Sequence, residues 1–150
     1  MTLTLTEPPF VRTSLLIRRP AHEVYEAFAD PAVTTRFWFT SSTGRLEPGA
    51  TVRWDWEMFG FHTIVTVLAA EPEHLLRFDW NPDHPTTVEF RFTADEGATF
   101  VEVTETGLTG TGDETAAYAS GSTIGFTKVL CAAKALLEHG IVLAVVADHR

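Results

Sequence analysis

The sequence predicts an α+β protein in which a curved antiparallel sheet of about six strands wraps around one long C-terminal helix. Two observations predict this fold. Between residues 46 and 107, apolar and polar residues alternate with a period of two across segments separated by turn residues, which is typical of antiparallel strands with one covered face. From Asp113 to His139, the apolar residues instead recur at helical spacing.

Size and charge limit the classes of protein to which the chain can belong. Its 150 residues, of which 45% are hydrophobic, suffice for one large core, and we expect a single domain over residues 1–150. A net charge of −9 would repel phosphate backbones, so no nucleic-acid partner is expected. The longest apolar run, Ile141 to Ala147, is too short to span a bilayer, and the N-terminal residues lack a signal-peptide pattern. We therefore expect a cytoplasmic protein without a membrane partner.

The N-terminal part predicts a strand followed by two short helices. The segment FVRTSLLIRR is the first predicted strand. Pro31 disfavours a helical conformation at Asp30, so the first helix ends there. Asp30 can then cap a second helix that begins at Pro31. The residues that fall at helical spacing in the first helix are Ala21, Val24, Tyr25 and Phe28.

Three adjacent aromatic residues, Phe37, Trp38 and Phe39, are expected to end the second helix. Consecutive side chains cannot all point the same way, so at least one ring must contact something other than the nearest helix. One helix about 10 Å across cannot cover a wide curved sheet alone. We therefore expect these rings to close one end of the groove between the sheet and the long helix.

Alternate positions along the predicted strands separate a covered face of the sheet from a solvent-facing one. The solvent-facing set is largely charged and includes Arg53, Asp55 and Arg77. In the strand around Ile64 and Val65, apolar residues occur at odd and even positions alike, so the sequence does not show which of its faces is covered. The covered set is apolar and aromatic: Val52, Trp54, Trp56, Leu76, Phe78, Trp80, Val88, Phe90, Phe92, Val101 and Val103.

The long C-terminal helix carries small residues in its middle. Asp113 is suited to the N-cap position, and Gly140 follows the last turn at His139. Gly121 and Gly125 lie one turn apart, and each costs about 1 kcal/mol relative to alanine. Because small helix residues that face large sheet residues leave room for a guest, we expect a cavity between the sheet and this helix.

Three motifs resemble those of a known superfamily. AHEVYEAFADPAVTTRFW is similar to its opening motif, AAEPEHLLRFDW to its mid-sheet signature, and GFTKVLCAAKALLEHG to its C-terminal helix. The chain thus resembles the START-like (SRPBCC, helix-grip) superfamily from Val11 to Gly140, in the branch of homologues of heat-shock protein ATPase activators, with polyketide cyclases as relatives. The resemblance implies one START-like domain with a helix-grip fold. It does not imply one activity, because the superfamily includes lipid carriers, hormone receptors, cyclases and chaperone activators.

One carboxylate stands out as a candidate catalytic residue. Glu105 continues the covered phase of Val101 and Val103, so its carboxylate is expected to point inward. A buried carboxyl group is a candidate acid, base or ligand anchor. Alternatively, the strand ends at Gly107 and leaves Glu105 at a hydrated rim. Tyr118, on the long helix, either offers its hydroxyl to the same ligand or is an ordinary core or rim tyrosine.

Aromatic side chains of the covered face and the long helix are the candidate ligand-binding residues. They either pack as a solid core or form the wall of a cavity. No standard catalytic signature is present, and the histidines are scattered, so no metal ion or cofactor is expected. The candidate ligand-binding residues are Trp54, Trp56, Phe78, Trp80, Phe90, Tyr118 and Phe126.

Three functions remain open at this stage. The first is a small-molecule binding protein that holds an apolar or aromatic ligand between the sheet and the C-terminal helix. The second is a cyclase-like or hydrolase-like enzyme that uses Glu105 as general acid or base. The third is an interaction module similar to chaperone ATPase activators, which would use the solvent-facing side of the sheet. The oligomeric state is open, with a homodimer among the options.

Overall fold

A seven-stranded antiparallel sheet and a long C-terminal helix form the framework of the protein, in a computed structural model that describes residues 2–149. The helices are α1 (Ala21–Ala29), α2 (Pro31–Thr34) and α3 (Gly112–His139), and a short 3-10 helix covers Glu57–Phe59. The strands are β1 (Val11–Ile17), β2 (Ser41–Ser42), β3 (Thr51–Trp56), β4 (Phe61–Glu71), β5 (Leu75–Trp80), β6 (Thr86–Asp95) and β7 (Ala98–Thr106).

The strand order in the sheet is β1-β7-β6-β5-β4-β3-β2, so β1 closes one edge by pairing with the last strand. This arrangement confirms the predicted α+β, helix-grip fold. The sheet has seven strands rather than about six because Ser41–Ser42 pairs with β3. A strand of two residues is too short to show a periodic pattern in the sequence.

The predicted faces of the sheet are confirmed. Trp54, Phe78 and Phe90 are each 1% exposed, and Trp80 is half-buried. The opposite face carries ion pairs between solvent-accessible side chains, such as the pair of Arg53 and Asp55. In β4, where the sequence left the faces unassigned, the inward residues are Thr63, Val65 and Val67, and the pairing of this strand with β5 shifts register between Val67 and Ala69.

The three adjacent aromatic rings follow α2 rather than end it. The helix stops at Thr34, and the next residues form a turn. The first ring packs on α1, whereas the other two pack on the rings of β3. Phe37 contacts Phe28 of α1 at a centroid distance of 5.3 Å, and Phe39 stacks on Trp54 at 4.3 Å.

The start of α3 differs from the prediction in one detail. The N-cap is Thr111 rather than Asp113, because Thr111 Oγ1 accepts a hydrogen bond from the Glu114 backbone and Glu114 Oε1 accepts one from the Thr111 backbone. Asp113 Oδ1 instead accepts a hydrogen bond of 2.6 Å from the backbone N–H of Leu3. The N-terminal segment therefore crosses the first turn of α3. A Cβ atom at Gly112 would lie only 2.1 Å from the Leu3 carbonyl oxygen.

Candidate functional site

An open cleft of about 420 Å³ lies between the middle of α3, the connection from β3 to β4 and the C-terminal segment. We call it the apolar cleft. Its volume falls within the range of roughly 300 to 1,000 Å³ that is usual for small-molecule sites. Its aromatic lining residues are Trp38, Trp56, Phe59, Phe61, Trp80, Tyr118 and Phe126.

Gly121 and Gly125 form the part of the α3 wall that leaves the cleft open. Both glycines line the apolar cleft, and a Cβ atom at either position would meet no side chain within 4 Å. Open space therefore lies beside them. Alanine or any larger residue would extend the helix surface into that space.

The aromatic side chains predicted to bind a ligand divide into two groups. Trp56, Trp80, Tyr118 and Phe126 line the apolar cleft. The other three, Trp54, Phe78 and Phe90, line neither this cleft nor the one beside it, and are nearly inaccessible to solvent. Their rings pack on one another, with centroids 5.3 Å apart between Trp54 and Phe78. This second group supports the cleft from behind as part of the hydrophobic core.

Trp38 lines the cleft but was not among the predicted ligand-binding residues, although the aromatic triplet was expected to close one end of the groove. It is the middle ring of the aromatic triplet, and its ring centroid lies 5.9 Å from that of Phe126 and 6.3 Å from that of Trp80. The rings of Trp80 and Phe126 are stacked at 5.6 Å. The triplet thus contributes to the wall between sheet and helix, and its run of three rings was the available signal in the sequence.

Glu105 lies behind the apolar cleft and is completely buried, with 0% of its surface exposed. The alternative that placed it at a hydrated rim is therefore wrong. The strand continues past Glu105, which pairs with Val88 of β6 and Val11 of β1, and α3 covers its side chain. The donors to its carboxylate are Trp80 Nε1 at 3.0 Å, Tyr118 Oη at 2.6 Å, Ser122 Oγ at 2.5 Å and Thr86 Oγ1.

Neutral groups alone satisfy this buried carboxylate within the described residues. None of the ion pairs found among residues 2–149 includes Glu105. Oε2 accepts from Trp80, Thr86 and Tyr118, and Oε1 accepts from Ser122. Such complete hydrogen bonding is what allows a polar group to be buried without a large free-energy cost. Ser122 is the member of this cluster that sequence reasoning missed, because a single helical serine carries no pattern.

Tyr118 connects the carboxylate cluster with the surface. Burial and the hydrogen bond to the Glu105 carboxylate raise the pKa of Tyr118 above that of an ordinary tyrosine. The phenol therefore stays protonated at neutral pH. Although its hydroxyl is engaged, 39% of the Tyr118 surface is exposed, and the ring lines the apolar cleft.

A second open cleft, of about 770 Å³, adjoins the first. We call it the polar cleft. The two clefts share Phe61, Asn81 and Tyr118, so Tyr118 stands between them. Within residues 2–149, no group of three or more His, Cys, Asp or Glu side chains is arranged to hold a metal ion. The titratable residues that line the polar cleft are His62, Asp83, His84, Glu114 and Tyr118.

A curved sheet around a long helix, with an aromatic cleft between them, defines a protein of the START-like, helix-grip class. Within that class, residues 18–138 match the family described as Activator of Hsp90 ATPase homolog 1-like protein. The match covers most of the chain, and the protein belongs to this family. No curated protein matches the chain. None of the helices in the described part of the chain is long and apolar enough to cross a membrane.

Solved structures with the same fold include proteins from several sources. Protein SSP2350 from Staphylococcus saprophyticus is 27% identical with a TM-score of 0.79, over 90% of this chain and 96% of that one. DynU16, a protein in the dynemicin biosynthetic locus, is 24% identical with a TM-score of 0.76, over 89% of this chain and 48% of that one. The Aha1 dimer from Colwellia psychrerythraea is 19% identical with a TM-score of 0.75, over 88% of this chain and 98% of that one. The last two likenesses concern the fold alone.

Proposed function

We propose that the protein binds a small, mainly apolar or aromatic molecule in the apolar cleft. The observation that carries this proposal is the lining of the cleft, where Trp38, Trp56, Trp80 and Phe126 surround open space beside the α3 glycines. Aromatic side chains supply large apolar contact areas to a ligand. The occurrence of DynU16 in a biosynthetic locus is consistent with small-molecule binding by this fold.

The glycines give a second, energetic argument for the proposal. Glycine in a helix interior costs about 1 kcal/mol relative to alanine. At Gly121 and Gly125, no neighbouring side chain requires the absence of a Cβ atom. Packing within the described residues therefore does not explain these glycines, whereas a ligand that occupies the adjacent space would.

The enzymatic alternative gives Glu105 the role of general acid or base. A general base must come within hydrogen-bond distance of the proton that it abstracts. Glu105 lines neither cleft, and Tyr118 and Ser122 stand between its carboxylate and the apolar cleft. The geometry thus favours ligand binding over catalysis by Glu105.

Family membership makes the chaperone-activator reading the second candidate. The outer face of the sheet would serve as the interaction surface, and it carries ion pairs between Arg77 and Glu89 and between Arg91 and Glu89. Stimulation of an Hsp90 ATPase by the purified protein would support this candidate. If excess protein does not change the ATPase rate of Hsp90, ligand binding remains as the only proposal.

Binding of the neutral fluorescent probe 1-aminoanthracene tests the proposed function. The Gly125→Leu variant should bind the probe about tenfold or more weakly than the wild type, because a leucine side chain would fill the open space. Ser120→Leu is the matched control, since Ser120 is exposed on the same helix and lines neither cleft. Equal probe binding by the wild type and both variants would contradict the proposal.

Native mass spectrometry of freshly purified protein provides an independent measurement. A copurified small molecule that is retained by the wild type and lost in Gly125→Leu would support the same site. The same spectra would show whether the protein is a homodimer in solution, as the Aha1 protein from Colwellia psychrerythraea was solved.

A further inference from the structure

We infer that the wall of the apolar cleft formed by Trp80, Tyr118 and Ser122 selects a ligand group that donates a hydrogen bond, a hydroxyl or N–H group, and that Glu105 sets this selectivity through Tyr118 and Ser122. The inference rests on the proposed function, because it describes how the polar part of a ligand in that cleft is recognised. It makes Glu105 a positioning residue that does not contact the ligand.

The direction of the hydrogen bonds in the buried cluster carries the inference. A tyrosine or serine hydroxyl has one proton to donate, and the oxygens of Glu105 accept every hydrogen bond that its side chain makes within the described residues. Tyr118 Oη lies 2.6 Å from Glu105 Oε2, and Ser122 Oγ lies 2.5 Å from Glu105 Oε1. Both protons are therefore directed at the carboxylate. Only the oxygen lone pairs of the two hydroxyls remain for a ligand.

The indole N–H of Trp80, the third polar hydrogen of this wall, is also used in hydrogen bonds within the protein. Trp80 Nε1 donates to Glu105 Oε2 at 3.0 Å and to Thr86 Oγ1 at 2.9 Å. Ser122 makes no second side-chain hydrogen bond within residues 2–149, whereas the Tyr118 hydroxyl also lies within hydrogen-bonding reach of the Thr86 and Asn81 side chains. The wall formed by Trp80, Tyr118 and Ser122 thus presents hydrogen-bond acceptors and no donor.

Other polar side chains that line the apolar cleft are outside this cluster. Lys128 Nζ and His149 Nδ1 lie 2.8 Å apart and pair with each other. Asn81 Oδ1 accepts a hydrogen bond from Thr63 Oγ1. None of these groups contacts Glu105, so a substitution of Glu105 changes the hydrogen-bonding character of only one wall.

Replacement of Glu105 by glutamine should reverse one of the two hydroxyls. The amide oxygen can occupy the position of Oε2 and retain the three donors there, because Trp80 Nε1–H can only donate. The amide NH₂ group then occupies the position of Oε1 and donates to Ser122 Oγ. Ser122 must accept this hydrogen bond, and its own proton becomes free to point into the cleft.

Three probes of equal size test the selectivity: indole, which donates through N–H; benzofuran, which can only accept; and indene, which does neither. We expect the wild type to bind indole about three- to tenfold more tightly than benzofuran or indene in titrations followed by NMR. In Glu105→Gln, this preference should shrink and benzofuran should gain affinity relative to indene. Equal binding of the three probes by the wild type would overturn the inference and leave the proposed function intact.

If Glu105→Gln does not fold, variants of the two hydroxyl residues in the cleft wall still test the inference. Ser122→Ala and Tyr118→Phe each remove one acceptor, so each should lower the ratio of indole affinity to indene affinity, and Ser120→Ala should not change it. Unchanged ratios in both variants would overturn the inference. Failure of the wild type to bind any of the three probes would contradict both the inference and the proposed function.

Discussion

At the scale of single residues, Glu105 has a structural role as well as the one inferred for recognition. Its carboxylate joins two sheet residues, Trp80 and Thr86, to two helix residues, Tyr118 and Ser122. Among the described residues, no buried side-chain nitrogen or oxygen lacks a partner. Loss of the shared acceptor would leave several donors unsatisfied at once, and each unsatisfied buried group is costly.

We expect Glu105→Leu to lower the free energy of unfolding by roughly 3 kcal/mol, because the apolar side chain accepts no hydrogen bond. Glu105→Gln should cost only about 1 kcal/mol, since the amide oxygen can retain three of the donors and the amide NH₂ group can donate to Ser122 once its hydroxyl rotates. Urea unfolding followed by tryptophan fluorescence measures both values. A leucine variant as stable as the glutamine variant would show that the hydrogen bonds contribute little to folding.

At the scale of the elements, α3 has two differently packed halves. Its C-terminal half lies against β1, where Lys134 Nζ donates to the Leu16 carbonyl at 2.7 Å and Glu138 Oε2 accepts from the Arg18 backbone at 2.8 Å. Its N-terminal half contacts the sheet through the Glu105 cluster and contains Gly121, one of the two glycines beside open space. The apolar cleft lies where close packing gives way to this looser contact.

Alanine substitutions test whether the glycines of α3 reduce stability. Gly121→Ala and Gly125→Ala should each raise the free energy of unfolding by up to about 1 kcal/mol, because alanine favours the helix and the new methyl group meets open space. Gly112→Ala is the matched control on the same helix, and it should be destabilising because its Cβ atom would lie 2.1 Å from the Leu3 carbonyl oxygen. A loss of stability at positions 121 and 125 would mean that the space is not open in solution.

At the scale of the whole molecule, the Glu105 cluster attaches the first half of α3 to the three neighbouring strands β5, β6 and β7, which carry Trp80, Thr86 and Glu105. Tyr118 contributes to this attachment together with Ser122, because both donate from the helix to the buried carboxylate. The chain contains two tyrosines, and burial also raises the pKa of the other one, Tyr25. The attachment of the helix to the sheet should therefore weaken at alkaline pH, where the tyrosine hydroxyl loses its proton.

Stability should fall as the pH rises above about 10, the ordinary pKa of a tyrosine in an unfolded chain. Burial, followed by the hydrogen bond to Glu105, raises the pKa of Tyr118 in the folded state, so its contribution is fully present below that pH and is lost above it. Urea midpoints measured between pH 8 and pH 11 should decline less in Tyr118→Phe than in the wild type. Parallel declines would assign the alkaline loss to other groups, Tyr25 first.

Local patterns sufficed to predict the fold and part of the site. The period-two alternation predicted which rings of β3, β5 and β6 are buried, and it pointed Glu105 inward while a hydrated rim stayed open as the alternative. Helical spacing predicted the long helix. These features follow from sequence because the direction of a side chain depends on the periodicity of its own element.

Tertiary packing alone decided which buried rings line the cleft and which residues satisfy Glu105. Trp54 and Trp56 share one face of β3, yet only Trp56 lines the apolar cleft, because Phe39 from another segment stacks on Trp54. Ser122 lies 17 positions from Glu105 along the chain, and their contact depends on how α3 is placed over the sheet. A sequence pattern records the period within one element, whereas the distance between two elements is set by the packing of all their side chains together.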